Sequence, residues 1–152
     1  MKIEDDIKLD FSDVLIKPRR STLGSRSQIN LEREFEFPHS TQLWRGVPIV
    51  ASNMDTVGTV EMYKTLKNYN MLTCFHKFMD INNYPSNERN RYAISIGIRD
   101  EDYDKLKKLY ESYPERCNIV CVDVANGYMN KLVDFCKSVR ELIPHCILIA
   151  GN

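Results

Sequence analysis

From residue 47 onward the chain alternates between two textures, and this alternation constrains its fold more than any other feature. Short apolar runs stand at 47–51, 71–75, 92–98, 118–124 and 146–150. Each reads as a strand buried on both faces. Between them lie segments with helical spacing. The clearest covers 129–142, where Met129, Leu132, Val133, Cys136, Val139 and Leu142 fall on one stripe. A second stripe carries Tyr103, Leu106, Leu109, Tyr110 and Tyr113, with Asp100 or Asp102 as its cap. Pro114 and Pro144 close these two helices. The segment 61–70 predicts a shorter one.

Strand, helix and strand in repetition imply parallel pairing through right-handed crossovers. Strand starts roughly 20 to 30 residues apart suit either a barrel or an open doubly wound sheet. The polar residues separate the two. An open sheet gathers its phosphate-binding glycines as GxGxxG after the first strand, and no such run occurs. Polar residues instead follow many strand ends: Ser52-Asn53-Met54-Asp55, His76-Lys77, Asp123 with Asn126-Gly127, and Gly151-Asn152. A site assembled from several carboxyl ends is the barrel arrangement.

The expected fold class is therefore α/β, a (β/α)8 TIM barrel. Such a barrel takes about 250 residues, whereas this chain has 152, so it is expected to supply about the first five β/α units. Residues 1–46 are expected to form an N-terminal segment packing on the barrel, and 47–152 its first part. The run 146–150 would then be an exposed apolar edge.

Charge narrows the partners. Lys plus Arg equals Asp plus Glu at 21 each, which argues against nucleic acid or an anionic membrane. A basic knot of Lys17, Arg19, Arg20 and Arg26 is offset by Glu32, Glu34 and Glu36. The five cysteines, Cys74, Cys117, Cys121, Cys136 and Cys146, show no CxxC pair. They read as buried thiols in a reducing compartment. With no apolar leader after Met1 and no run of about 20 apolar residues, a cytoplasmic location is expected.

Two residues stand out chemically. Lys77 follows a buried strand between His76 and Phe78. It is either a desolvated lysine with a lowered pKa or partnered carboxylate, or a rim lysine whose amine reaches water. Asp123 interrupts an apolar strand, and a buried carboxylate must meet a cation or several donors. Lys77 is a candidate partner across the mouth; a structural ion pair or a turn cap is the alternative. In 52–58, Asp55 or Thr56 reads as the cap of the next helix, and Met54 as core. His39, His76 and His145 lack metal-ligand spacing.

The segments LDFSDVLIKPRRST, SRS, GVPIVASNMDTVGT, HK, CVDVANGY and terminal AGN resemble the GMP reductase family, in order and at its spacing. The resemblance spans the whole chain. It implies a cytoplasmic (β/α)8 homotetramer, related to IMP dehydrogenase, that converts GMP and NADPH to IMP, ammonia and NADP+ in purine salvage. It further implies catalytic roles for Lys77, Asp123 and Asn152, cofactor contacts from Ser25, Arg26, Lys77, Asp123, Val124 and Ala125, and a nucleotide contact from Met54. In the family a cysteine in a glycine-rich loop attacks C2 of guanine, and that loop also binds a monovalent cation, K+. This chain carries neither that loop nor the glycine-rich phosphate segments, so none of its cysteines is expected to be the nucleophile and no metal site is expected here. Ser52 and Phe78 depart from the family's usual Ala and His. An IMP dehydrogenase-like enzyme and a catalytically incomplete nucleotide-binding fragment are the alternatives. Only fourteen residues separate Lys77 from Tyr92, which leaves no room for the regulatory insertion of most IMP dehydrogenases.

Overall fold

The computed structural model describes residues 5–85 and 90–151. The chain divides into two units, Met1–Asn30 and Leu31–Asn152. In the first, two 3-10 turns, Phe11–Asp13 and Arg26–Gln28, are each held by a capping box, from Asp10 with Asp13 and from Ser25 with Gln28. Short polar side chains satisfy the turns' free N–H groups, so these turns need no core.

The second unit begins with an antiparallel hairpin of β1 (Arg33–Glu36) and β2 (Leu43–Gly46). There follow β3 (Val50–Ala51), α1 (Val60–Leu66), β4 (Leu72–Phe75), β5 (Tyr92–Ile96), α2 (Asp100–Ser112), β6 (Ile119–Asp123), α3 (Asn130–Leu142) and β7 (Ile147–Gly151). Strands β3 to β7 form one curled parallel sheet in sequence order. A doubly wound sheet would reverse its order at a switch point. This one does not, so it winds in one direction as part of a (β/α)8 barrel.

Alternate residues of each strand serve different faces. On the outer face Phe75, Ile94, Ile96, Val120 and Val122 share one core with Tyr63 of α1, Leu106 and Leu109 of α2, and Leu132 and Val139 of α3. Between β4 and β5 the described residues hold only a 3-10 turn, Ile81–Asn83. There an aromatic cluster covers the sheet: Phe75 lies 5.1 Å from Tyr92, 5.5 Å from Tyr84 and 5.6 Å from Tyr63, ring centre to ring centre.

On the inner face Leu72, Cys74, Ala93, Ile119 and Ile147 pack with Trp44, Phe35 and Phe37 of the hairpin segment. The hairpin sits at the amino ends of the strands. Trp44 Nε1 donates to the Asn90 carbonyl at 3.0 Å, and Ser40 Oγ to the His145 carbonyl at 2.6 Å. Gly46 permits this approach, since a Cβ there would meet the Asn70 carbonyl at 2.1 Å.

The structure corrects several local expectations. The run 47–51 keeps only two strand residues, because Val47 is tied to the Asn70 carbonyl and Pro48 has no N–H to give the ladder. The segment 61–70 is helical only to Leu66, then tightens to a 3-10 turn and stops at left-handed Asn70 (φ 55°). Its cap is Thr59, whose hydroxyl accepts from Met62 N–H at 3.2 Å, and not Asp55 or Thr56, which lie in the turn before it. Helix α2 is capped at Arg99, and Asp102 works from inside the first turn by accepting the Arg99 N–H at 3.0 Å.

Candidate functional site

Three strands end around one cleft of about 370 Å³, lined by Lys77, Phe78, Gly97, Ile98, Arg99, Asp102, Asp123, Val124, Ala125 and Met129. Lys77 stands two residues past the end of β4, Gly97 directly follows β5, and Asp123 is the last residue of β6. The cleft thus opens at the carboxyl ends of the strands, opposite the hairpin. Val120 and Val122 belong to the helix-covered core while Cys121 packs on the inner cluster. By strand alternation Asp123 shares the inner side with Cys121. Beyond it, Val124 N–H bonds the Gly151 carbonyl at 3.2 Å, which ties this loop to the end of β7.

Lys77 and Asp123 line the same cleft but form no ion pair with each other. Lys77 is exposed, with its ammonium 5.5 Å from the Phe78 ring centre, so it is a rim lysine and not a desolvated one. Asp123 is half-buried. Its position at the last rung of β6 lets water solvate the carboxylate, which removes the need for a buried cation partner. Both groups are therefore available to a molecule entering the cleft.

The loop carrying Lys77 is held firmly. His76 N–H donates to the Gly58 carbonyl at 3.2 Å, and Met79 N–H to the His76 carbonyl at 3.1 Å. Met79 is buried in the outer core. At Gly58 a Cβ would meet the Cys74 carbonyl at 2.2 Å, so only glycine lets the loop after β3 lie against the end of β4. That same loop presents Met54, which is 59% exposed and not part of the core.

Beneath the mouth lie Cys74, Ser95 and Cys121. The Cys74 and Ser95 side chains are 3.2 Å apart and buried. A hydrogen bond with Cys121, together with burial, pushes the Cys74 thiol up, while the same bond holds the Cys121 thiol down. Burial pushes Cys117 up to about 12 and raises Cys136 and Cys146. All five cysteines are free. Among the described residues no group of three His, Cys, Asp or Glu side chains could hold a metal ion, and no helix is long and apolar enough to cross a membrane.

Of the residues singled out by sequence, Lys77, Asp123, Val124 and Ala125 come together in the cleft. Ser25 and Arg26 belong to the first unit, where Ser25 caps the turn that Arg26 begins. Asn152 lies outside the described residues. Gly97, Arg99 and Met129 were not foreseen as lining. The available signal was their position at or beyond the carboxyl ends of apolar runs, where a barrel places its site.

A curled parallel sheet with a polar cleft at its carboxyl mouth and a plug at its amino end defines a partial (β/α)8 barrel of the kind that binds small molecules at that mouth. The solved structure of inosine 5′ monophosphate dehydrogenase from Legionella pneumophila shares this fold, with a TM-score of 0.73 and 21% identity over 93% of this chain and 43% of that one. The family profile "IMP dehydrogenase / GMP reductase domain" matches residues 8–152, and the chain belongs to that family. It is 46% identical over its whole length to GMP reductases of Buchnera aphidicola subsp. Acyrthosiphon pisum and Shigella flexneri. It spans 45% and 46% of those relatives, less than half their length.

Proposed function

We propose that this chain forms part of a GMP reductase, an oxidoreductase that turns GMP, NADPH and two protons into IMP, ammonium and NADP+ in purine salvage. The observation that carries the reading is the convergence of Lys77, Asp123, Val124 and Ala125 on one cleft at the barrel mouth. Supporting it is the likeness to GMP reductases along the whole chain. A cytoplasmic homotetramer, with K+ bound outside these residues, is part of the same proposal.

The lining suits a nicotinamide cofactor. Phe78, Ile98, Val124 and Met129 offer apolar walls to a flat ring, while Lys77 and Asp123, with Arg99 and Asp102 beside them, bring charge of both signs. NADPH would supply the hydride. Lys77, Asp123, Val124 and Ala125 would hold it; Ser25 and Arg26 are proposed as further cofactor contacts and Asn152 as a further catalytic residue. Met54, on the exposed loop after β3, would border the nucleotide. Departing ammonia must gain a proton, and Lys77 and Asp123 would hold or pass one at the mouth. The attacking thiol is proposed to lie outside this chain. Cys74, Cys117 and Cys146 are buried, with raised pKa values that disfavour the nucleophilic thiolate. Cys121 points into the barrel interior below Asp123.

The test follows NADPH absorbance in the presence of GMP. A protein of the relatives' length that carries this chain is expected to consume NADPH and release ammonia. The 152 residues alone are expected to consume none. No GMP-dependent loss of absorbance in the long protein would defeat the reading, and turnover by the short chain would defeat the placement of the thiol.

A further inference from the structure

We propose that Lys105 is a positioning residue for Lys77. The inference rests on the reading above only in the role given to Lys77.

Lys105 lies in the second turn of α2, with its side chain half-buried. Its ammonium donates to the Lys77 carbonyl at 3.0 Å and to the Met79 carbonyl at 3.5 Å. One cation thus clasps two carbonyls of the loop that follows β4. No other helix side chain reaches the backbone of Lys77 itself among the described residues. The next cation along, Arg116, donates to the Ile81 carbonyl at 3.2 Å and lies 4.0 Å from the Tyr113 ring centre, so it secures the far side of the same loop.

The arrangement has a physical logic. Lys77 is exposed and has no ion-pair partner among the described residues, so its own side chain does little to fix where its stem leaves the backbone. Loop carbonyls that would otherwise turn to water are instead bound by a charged donor. Hydrogen bonds with one ionised partner are shorter and stronger than neutral ones. Helix α2 is in turn anchored by Leu106 and Leu109, which are 1% and 3% exposed in the core. The clasp therefore transmits the rigidity of a packed helix to a rim loop. Catalysis depends steeply on such placement, and a displacement of about 1 Å can cost on the order of a hundredfold in rate. A lysine whose only duty was solubility would keep its amine in water. This one turns it onto the loop.

The experiment uses the protein of the relatives' length with Lys105→Met, which keeps the apolar stem and removes the donor, and Lys105→Arg, which restores a charged donor. Amide hydrogen exchange across residues 76–80 is the readout that needs no activity. It is expected to accelerate in Lys105→Met and to recover in Lys105→Arg; unchanged exchange in Lys105→Met overturns the proposal whatever the enzyme does. In turnover, Lys105→Met is expected to lower kcat about tenfold with KM for GMP unchanged. Combined with Lys77→Ala, it should lower kcat no further than Lys77→Ala alone, because coupled residues are not additive. A full additional loss in the double variant would show a merely structural role and overturn the proposal. If the wild-type protein reduces no GMP, the functional reading fails, and the exchange result still decides the clasp.

Discussion

The two faces of one sheet behave as different materials. The outer face is closed: Phe75, Val120, Val122 and Val139 have no exposed surface, and three helices with an aromatic cluster cover the strands. The inner face is closed only over its central strands. Trp44 and Leu72 are buried there, and Cys74 and Ser95 as well, yet Val50 at one edge is 49% exposed and Ile149 at the other 38%. The same strands serve both faces, so composition does not explain the contrast. Coverage does. The outer face has its helices within the chain, whereas the inner face of a barrel is covered by strands on the opposite wall. Stability should therefore be concentrated outside, and chemistry at the inner mouth.

Substitutions can break that contrast. Phe75→Ala, on the closed face, should cost about 3–5 kcal/mol, measured by urea or thermal unfolding, since it removes a fully packed aromatic ring. A loss below about 1 kcal/mol would mean the outer core can collapse around the gap. At the mouth the currency changes from stability to rate. Lys77→Ala or Asp123→Ala should leave the melting temperature nearly unchanged and lower kcat for GMP by about a hundredfold or more in the relatives'-length protein. Near-normal kcat in both would remove them from the proposed machinery.

A smaller effect concerns alkaline stability. Cys117 is fully buried, and burial pushes its thiol up to about 12 from 9.0. The folded state thus disfavours the thiolate that the unfolded state forms freely. The stabilising contribution is complete below about pH 9 and is lost as pH rises toward about 12. Melting scans should show stability falling across that window, and Cys117→Ala should flatten part of the fall. Cys74, Cys136 and Cys146, whose thiols are also raised, and the Tyr84 phenol, raised by burial, contribute to the remainder. Smallest of all, Ile149→Ala on the open face should cost less than about 1 kcal/mol in the 152-residue chain, because a side chain already 38% exposed has little burial to lose. A loss matching that of Phe75→Ala would show that the inner face is covered in solution.

The sheet strands and helices were legible because their signals are local. Apolar runs and the 3.6-residue stripe of 129–142 marked β4 to β7 and α3 to within a residue or two at each end. The hairpin of β1 and β2 was not legible. Its charged residues Arg33, Glu34, Glu36 and Arg45 mask an apolar set, Phe35, Phe37 and Trp44, that makes sense only against the strands it plugs. The cap of α1 was missed for a related reason. Asp55 and Thr56 have capping chemistry, but the turn closed by Val57 N–H on the Met54 carbonyl at 2.9 Å delays the helix until Thr59.

The site divides in the same way. Lys77 and Asp123 could be named from sequence because charge after or within an apolar run is costly enough to ask for a reason. Their ionic partnership could not be read there and does not exist, since both sit where water reaches them. What the sequence alone determined was periodicity: which segments extend, which coil, and that polar residues gather at the carboxyl ends of a barrel's strands. Only the tertiary structure decided which side chains meet, from the hairpin beneath the sheet to the Lys105 ammonium on the Lys77 loop. Periodicity is carried by near neighbours along the chain. A clasp between residues 28 positions apart depends on the angle at which a helix lies on a curled sheet, and no local pattern encodes that angle.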